Sequence, residues 1–206
     1  MNSDSHFYEP RLGHGLSHNP FYAIMGPRMI GWIATRSRDG VDNLAPYSFF
    51  SAYSVDPPII GFSSEGWKDT VENVRHTGEF SWNLVSRDLA QAMNLTSQPV
   101  PAEVDEFSLA GIQKSDCRLI AAKRVADSPV SFECRLSELI QLRSSTGALV
   151  NRWLVLGEVV GVHIGKAFLV DGVYQTAEAR PVLRAGGKAE YFEISSELRF
   201  EMTMPC

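Results

Sequence analysis

At 206 residues and a formal net charge of −5, the chain suits one domain with a sizeable core, needing neither disulfides nor metals. The acidic balance argues against a nonspecific nucleic-acid partner, which needs a basic patch. No apolar run is long enough to span a bilayer, and the polar stretch Met1 to Leu12 lacks the apolar centre of a signal peptide.

The expectation is therefore a single domain over 1–206, with 1–20 as an N-terminal arm and no membrane partner. Cys117, Cys134 and Cys206 make an odd count without metal-like spacing, which suits a reducing, cytoplasmic location. In the arm, His14 and His18 have an i, i+4 spacing. Gly13 and Gly15 weaken a helix there and no third ligand is evident, so a packed or mobile arm is expected and no metal site.

Met29 to Arg36 reads as a strand. Asp39-Gly40 is a turn signal, so Asn43 onward returns as its hairpin partner. Asp56-Pro57-Pro58 separates the run Asn43 to Phe50 from a second one, Ile59 to Phe62. A loop, Ser63 to Thr70, leads into a helix expected from about Lys68 to His76. Gly78 sits where a left-handed residue ends helices, and Arg75 and His76 suit the dipole of the last turn.

Glu79 to Ser86 alternates as a strand with Phe80, Trp82 and Leu84 on one face. Arg87 to Asn94 reads as a short helix whose Leu89, Ala92 and Met93 share a face. Thr96 to Phe107 reads as a surface loop, either a lid-like cover or a plain insertion. One or two short strands are expected in Arg118 to Val130, another over Ser131 to Arg143, a turn at Thr146-Gly147, and a strand over Trp153 to Ile164. Within that last strand His163 reads as a packed residue. A further run covers Ala167 to Val170. Many short strands and few helices argue for a mainly β architecture, with sandwich and barrel both open.

The loop Ser63-Ser64-Glu65-Gly66-Trp67-Lys68-Asp69-Thr70 carries the clearest chemistry. Hydroxyls, a lysine and free N–H groups at a helix start suit a phosphate. The alternative is an ordinary capped helix, with Ser64 or Asp69 as the cap and Lys68 in solvent. There is no Gly-x-Ser-x-Gly elbow, no supported Cys/His pair, no His-Glu-x-x-His helix and no Gly-x-Gly-x-x-Gly fingerprint.

Asn19-Pro20-Phe21, the stretch from Pro27 to Thr35, Asn43 to Phe50 and Ser63 to Thr70 resemble the flavin reductase-like, FMN-binding split-barrel family. Thr77-Gly78-Glu79-Phe80, Asp105-Glu106-Phe107, Ser128-Pro129-Val130, Glu133-Cys134 and Leu156 to Val160 continue the likeness in order along nearly the whole chain. The resemblance implies an FMN-binding split β-barrel with short helical insertions that forms a homodimer. The implied activity is an NAD(P)H-dependent flavin reductase or a related oxidoreductase serving a small-molecule electron acceptor. A non-catalytic FMN-binding electron carrier or flavin-storage protein is the alternative.

By the same resemblance, Thr35 and the segment Asn43, Ala45, Pro46, Tyr47 and Ser48 would contact the ring and ribityl parts of FMN. Ser63, Ser64, Lys68 and Thr70 would hold its phosphate. Tyr47, Phe49 and Phe50 are also plain candidates for core packing. Two departures stand out. Met29 replaces a usual proline, which should loosen a turn. Where several family reductases read Gly-Asp-His in a turn, this chain reads Val150-Asn151-Arg152, so Arg152 is either a substitute cationic donor to flavin or nucleotide, or a solvated strand-end residue.

Overall fold

The computed structural model describes residues 4–187 and 189–203. Cys206 and the first three residues of the polar N-terminus lie outside them. Helix α1 (Phe21–Ile24) precedes strands β1 (Arg28–Met29), β2 (Gly31–Arg36), β3 (Asp42–Tyr47), β4 (Phe50–Val55) and β5 (Pro58–Glu65). Helix α2 (Asp69–Thr77) and strand β6 (Glu79–Asn83) come next, then helices α3 (Ala90–Leu95) and α4 (Glu106–Leu109). The strands β7 (Lys114–Ser115), β8 (Arg124–Val125), β9 (Val130–Arg143) and β10 (Leu149–Ile164) follow. After them come β11 (Leu169–Val170), β12 (Val173–Tyr174), β13 (Val182–Arg184) and β14 (Tyr191–Glu193).

Seven strands form one antiparallel sheet in the order β3-β2-β6-β9-β10-β5-β4. Its edge strands, β3 and β4, are separated in the chain by Ser48 and Phe49 alone, so the sheet must curl until its edges meet. At the seam the Ser63 N–H donates to the Phe49 carbonyl at 2.9 Å. Gly31 makes room there for the Phe50 ring, which a Cβ would approach to 2.8 Å. The curled, incompletely closed sheet is the split barrel expected above, and curling shelters the strand edges.

Two apolar clusters hold it together. Ile33, Phe62, Phe80, Trp82 and Val155 fill the barrel. Trp32, Ala34, Leu44, Met93, Phe107 and Val125 pack on the other face of the sheet, beneath α3 and α4. Strand β2 is therefore buried on both sides, with Ile33 facing one cluster and its neighbours the other. Gly157 faces Phe80 so closely that a Cβ would lie 2.4 Å from the ring. Any side chain there would have to displace that ring.

The turn at Gly40 (φ 87°) and the helix stop at Gly78 (φ 72°) stand where the sequence puts them. Several boundaries differ. Helix α2 begins at Asp69 and runs to Thr77, with Lys68 in the cap position and no side-chain cap, so neither Ser64 nor Asp69 fills that role. Strand β6 ends at Asn83, α3 begins at Ala90, and residues 166–168 form a short 3-10 turn.

Met29 lies in β1, paired with Leu183, and not in a turn. Val150-Asn151-Arg152 likewise belongs to β10, because an irregular register between Leu149 and Trp153 extends pairing past the point where alternation fails. No helix among the described residues is long and apolar enough to cross a membrane.

Candidate functional site: a cavity at the barrel seam

A cavity of about 510 Å³ opens where edge strand β3, the β5–α2 loop, the start of β10 and the segment after α3 converge. Nine residues singled out from the sequence line it: Asn43, Ala45, Pro46, Tyr47, Ser48, Ser63, Lys68, Thr70 and Arg152. The segment 96–100, read above as lid or insertion, forms another wall. It is tied down by a 3.0 Å hydrogen bond from the Trp32 indole to the Thr96 hydroxyl, itself buried.

Thr35 and Ser64 do not line the cavity. Thr35 is fully buried in β2 and Ser64 fully buried in β5. The Ser64 hydroxyl donates to the Gly66 carbonyl at 2.9 Å and shapes the loop from inside. Successive strand residues point to opposite faces, so Ser63 and Ser64 cannot both reach one ligand.

Beneath the cavity lies a buried polar network. The Asn43 side-chain oxygen accepts from the hydroxyls of Thr70 (2.8 Å) and Thr35 (3.2 Å). Thr35 in turn accepts from the Asn73 amide at 3.1 Å. The Asn43 amide donates to both Glu106 oxygens, at 2.9 and 3.1 Å, and the Leu44 N–H donates to the same carboxylate at 2.9 Å. Strands β2 and β3 and helices α2 and α4 are thereby locked together. The side chains of Asn43 and Thr70 are spent on this lock.

Glu106 went unassigned in the sequence, as did Asn73. Glu106 lines the cavity and is 5% exposed. Burial raises its pKa above the ordinary value, against the opposing pull of the Leu44 N–H and Asn43; nearby Asp69 raises it further. A signal for α4 existed. Asp105 caps it, accepting from the N–H groups of Phe107 and Ser108.

Two hydroxyls in the cavity wall are buried without a hydrogen-bond partner: Ser63 Oγ and Tyr47 Oη. Burial pushes the Tyr47 phenol up to about 12, so it stays protonated; the nearby Thr70 and Ser64 hydroxyls donate to Asn43 and to the Gly66 carbonyl instead of to it. Buried polar groups are ordinarily satisfied, so orphans facing a cavity point to a ligand that supplies the missing partner. The start of α2 adds N–H groups without intrahelical acceptors. The exposed Lys68 in the cap position adds a charge.

Tyr47 packs on Phe62 and Phe50 stacks on Trp82, so both serve the core while Tyr47 also serves the cavity. Phe49 lines the cavity, with the guanidinium groups of Arg28 and Arg152 at 5.0 and 5.3 Å from its ring centre. Arg152 also pairs with Glu65 at 2.9 Å. It is therefore a held residue at the cavity rim and not a freely solvated strand end. No histidine or cysteine lines the cavity among the described residues.

Comparison with known proteins follows the same lines. Residues 25–182 match the family described as "Flavin reductase like domain". An uncharacterized protein of Aquifex aeolicus is 34% identical over 171 residues, covering 80% of this chain and 84% of its own. The crystal structure of nitrilotriacetate monooxygenase component B from Bacillus cereus superposes with a TM-score of 0.82 at 25% identity, over 91% of this chain and 98% of that one. The 2-nitrobenzoate 2-nitroreductase of Pseudomonas fluorescens gives 0.79 at 26% identity, over 90% and 88%. The chain belongs to the flavin reductase-like family of split-barrel proteins.

Proposed function

We propose that the protein is an FMN-dependent oxidoreductase of the cytoplasm that draws on NADH or NADPH and serves a small-molecule electron acceptor. The observation that carries the cofactor reading is the unpartnered Ser63 hydroxyl, set in the cavity wall beside Lys68 and the start of α2. One phosphate is what that end of the cavity can hold, and the sequence has no second nucleotide fingerprint. The free thiols of Cys117 and Cys134 are in keeping with a reducing compartment.

Bound FMN would supply the electron and hydride chemistry, so the missing acid–base pair is no obstacle. The chain's own contribution is to bind and orient. Ser63, Lys68 and the first N–H groups of α2 would hold the phosphate. The main chain of β3 from Asn43 to Ser48 would take the ribityl and ring, with Pro46 shaping the wall without donating. Tyr47 offers its proton to an acceptor at the cavity wall. The segment 96–100 and Trp67 would exclude water. Arg152 stands where a nucleotide phosphate or the flavin could use a cationic donor.

One observation favours a second reading, a flavin-binding electron carrier or storage protein without turnover. It is the arginine at 152 in place of the histidine of several family reductases. Anaerobic mixing of the FMN-loaded protein with NADH or NADPH separates the two. Bleaching of the flavin absorbance at a rate that rises with nicotinamide concentration is expected. A flavin that stays oxidised with both donors would leave only the second reading.

The working unit in this proposal is a homodimer. Val55, 91% exposed, and Val162, 55% exposed, line one shallow apolar groove on β4, β5 and β10, and such a surface favours a partner. Light scattering on the FMN-loaded protein at micromolar concentration is expected to give twice the chain mass. The mass of a single chain would contradict it.

A further inference from the structure

A second cavity, of about 620 Å³, lies at the end of β10 remote from Arg152, where residues 161–165 face the segment 118–128. It shares no lining residue with the cavity at the seam. Its buried centre is Glu133, 1% exposed. The carboxylate accepts from the N–H groups of Arg118 at 2.7 Å and Leu119 at 2.6 Å, and bonds His163 Nε2 at 2.5 Å. Burial opposes its charge, but these donors prevail and hold its pKa below the ordinary value. Glu133 is thus an ionised group largely spent on the chain and on His163.

The cations around it are not spent. Arg118 and Arg124 both line the cavity, and neither forms an ion pair with a carboxylate among the described residues. Arg124 Nε is sealed from solvent with no acceptor at all. A buried, unpartnered N–H on a cation is unfavourable, and a carboxylate is the acceptor whose geometry fits a guanidinium. With Nε2 held by Glu133, His163 keeps Nδ1 for a further contact. Leu119 supplies aliphatic wall, while Val162 and Ile164 alternate with His163 along β10 and offer the cavity their main chain, their side chains turning to the other face beside Phe132 and Val130. The volume lies in the range of pockets for small organic ligands, far above what a bare oxyanion needs.

We infer that this cavity binds a small organic carboxylate with an aliphatic body, its head on Arg124 and Arg118 and its tail along Leu119. The site stands apart from the proposed flavin cavity, so neither reading depends on the other.

Hexanoate and its neutral counterpart hexanamide are suitable probes. The full-length protein would be titrated with each by calorimetry, while NMR follows the His163 imidazole. Hexanoate is expected to bind and to shift the His163 signals, with hexanamide at least about tenfold weaker. Arg124→Gln should weaken hexanoate by about ten- to a hundredfold, the usual effect of losing a charge-assisted hydrogen bond. Arg118→Ala, a change at an exposed residue, should also weaken it and decides the matter if Arg124→Gln fails to fold. Hexanoate that leaves His163 unmoved up to its solubility, or that binds the folded variants as tightly as wild type, would overturn the proposal. So would equal binding of the acid and the amide.

Discussion

Replacing Lys68 by alanine is expected to weaken FMN binding by about one to two powers of ten, the equivalent of roughly 1.5–3 kcal/mol for a charge-assisted contact. The weaker binding of riboflavin, which has no phosphate, should hardly change. Lys68 is exposed, and its side chain makes no cap bond to α2, so the substitution should leave folding nearly intact. Paired fluorescence titrations of wild type and Lys68→Ala with both flavins check this. Equal loss for the two ligands would mean that Lys68 supports the loop and not a phosphate. No loss for either would place the phosphate elsewhere.

Glu106→Ala is expected to destabilise the fold by about 2–5 kcal/mol, because the buried Asn43 amide and the Leu44 N–H would each lose an acceptor. Urea denaturation at neutral pH measures it, and a loss under about 1 kcal/mol would show that water satisfies both donors. Glu106→Gln adds a test with a sign. Folding raises the Glu106 pKa above its ordinary value of 4.5, so the folded chain binds this proton more tightly than the unfolded one. The contribution of the group to stability is then greatest below pH 4.5 and declines as pH rises beyond it. Glutamine has no such proton, so the stability advantage of wild type over Glu106→Gln should be largest in acid and shrink toward neutrality. A constant or widening advantage would reverse the assignment.

Local chemistry was the legible part of this protein. Asp39-Gly40 and Gly78 mark chain reversals through backbone conformation alone, so short range suffices to find them. The hydroxyl-rich loop is likewise a local pattern, and Ser63, Lys68 and Thr70 all reach the cavity. Facing was harder to read. Strand β2 is buried on both sides, which removes the polar–apolar contrast that would have shown Thr35 turned away from the cavity. Alternation between Ser63 and Ser64 was available and would have excluded one of them. Contacts across long stretches of sequence were the illegible part. Glu106 meets Asn43 from 63 residues away, through a helix too short to announce itself by periodicity. His163 reads as a packed strand residue until Glu133, 30 residues earlier, is seen beside it.

The cofactor claim is most directly tested by denaturing the purified full-length protein, after incubation with FMN and FAD together, and separating the released flavin by chromatography. FMN alone, in stoichiometric amount, is the expected result, because in the proposed site Ser63, Lys68 and the start of α2 would hold one phosphate and the sequence carries no dinucleotide fingerprint. FAD in the released fraction, or a protein that remains colourless, would contradict the assignment of Ser63, Lys68 and the α2 N-terminus to a flavin phosphate.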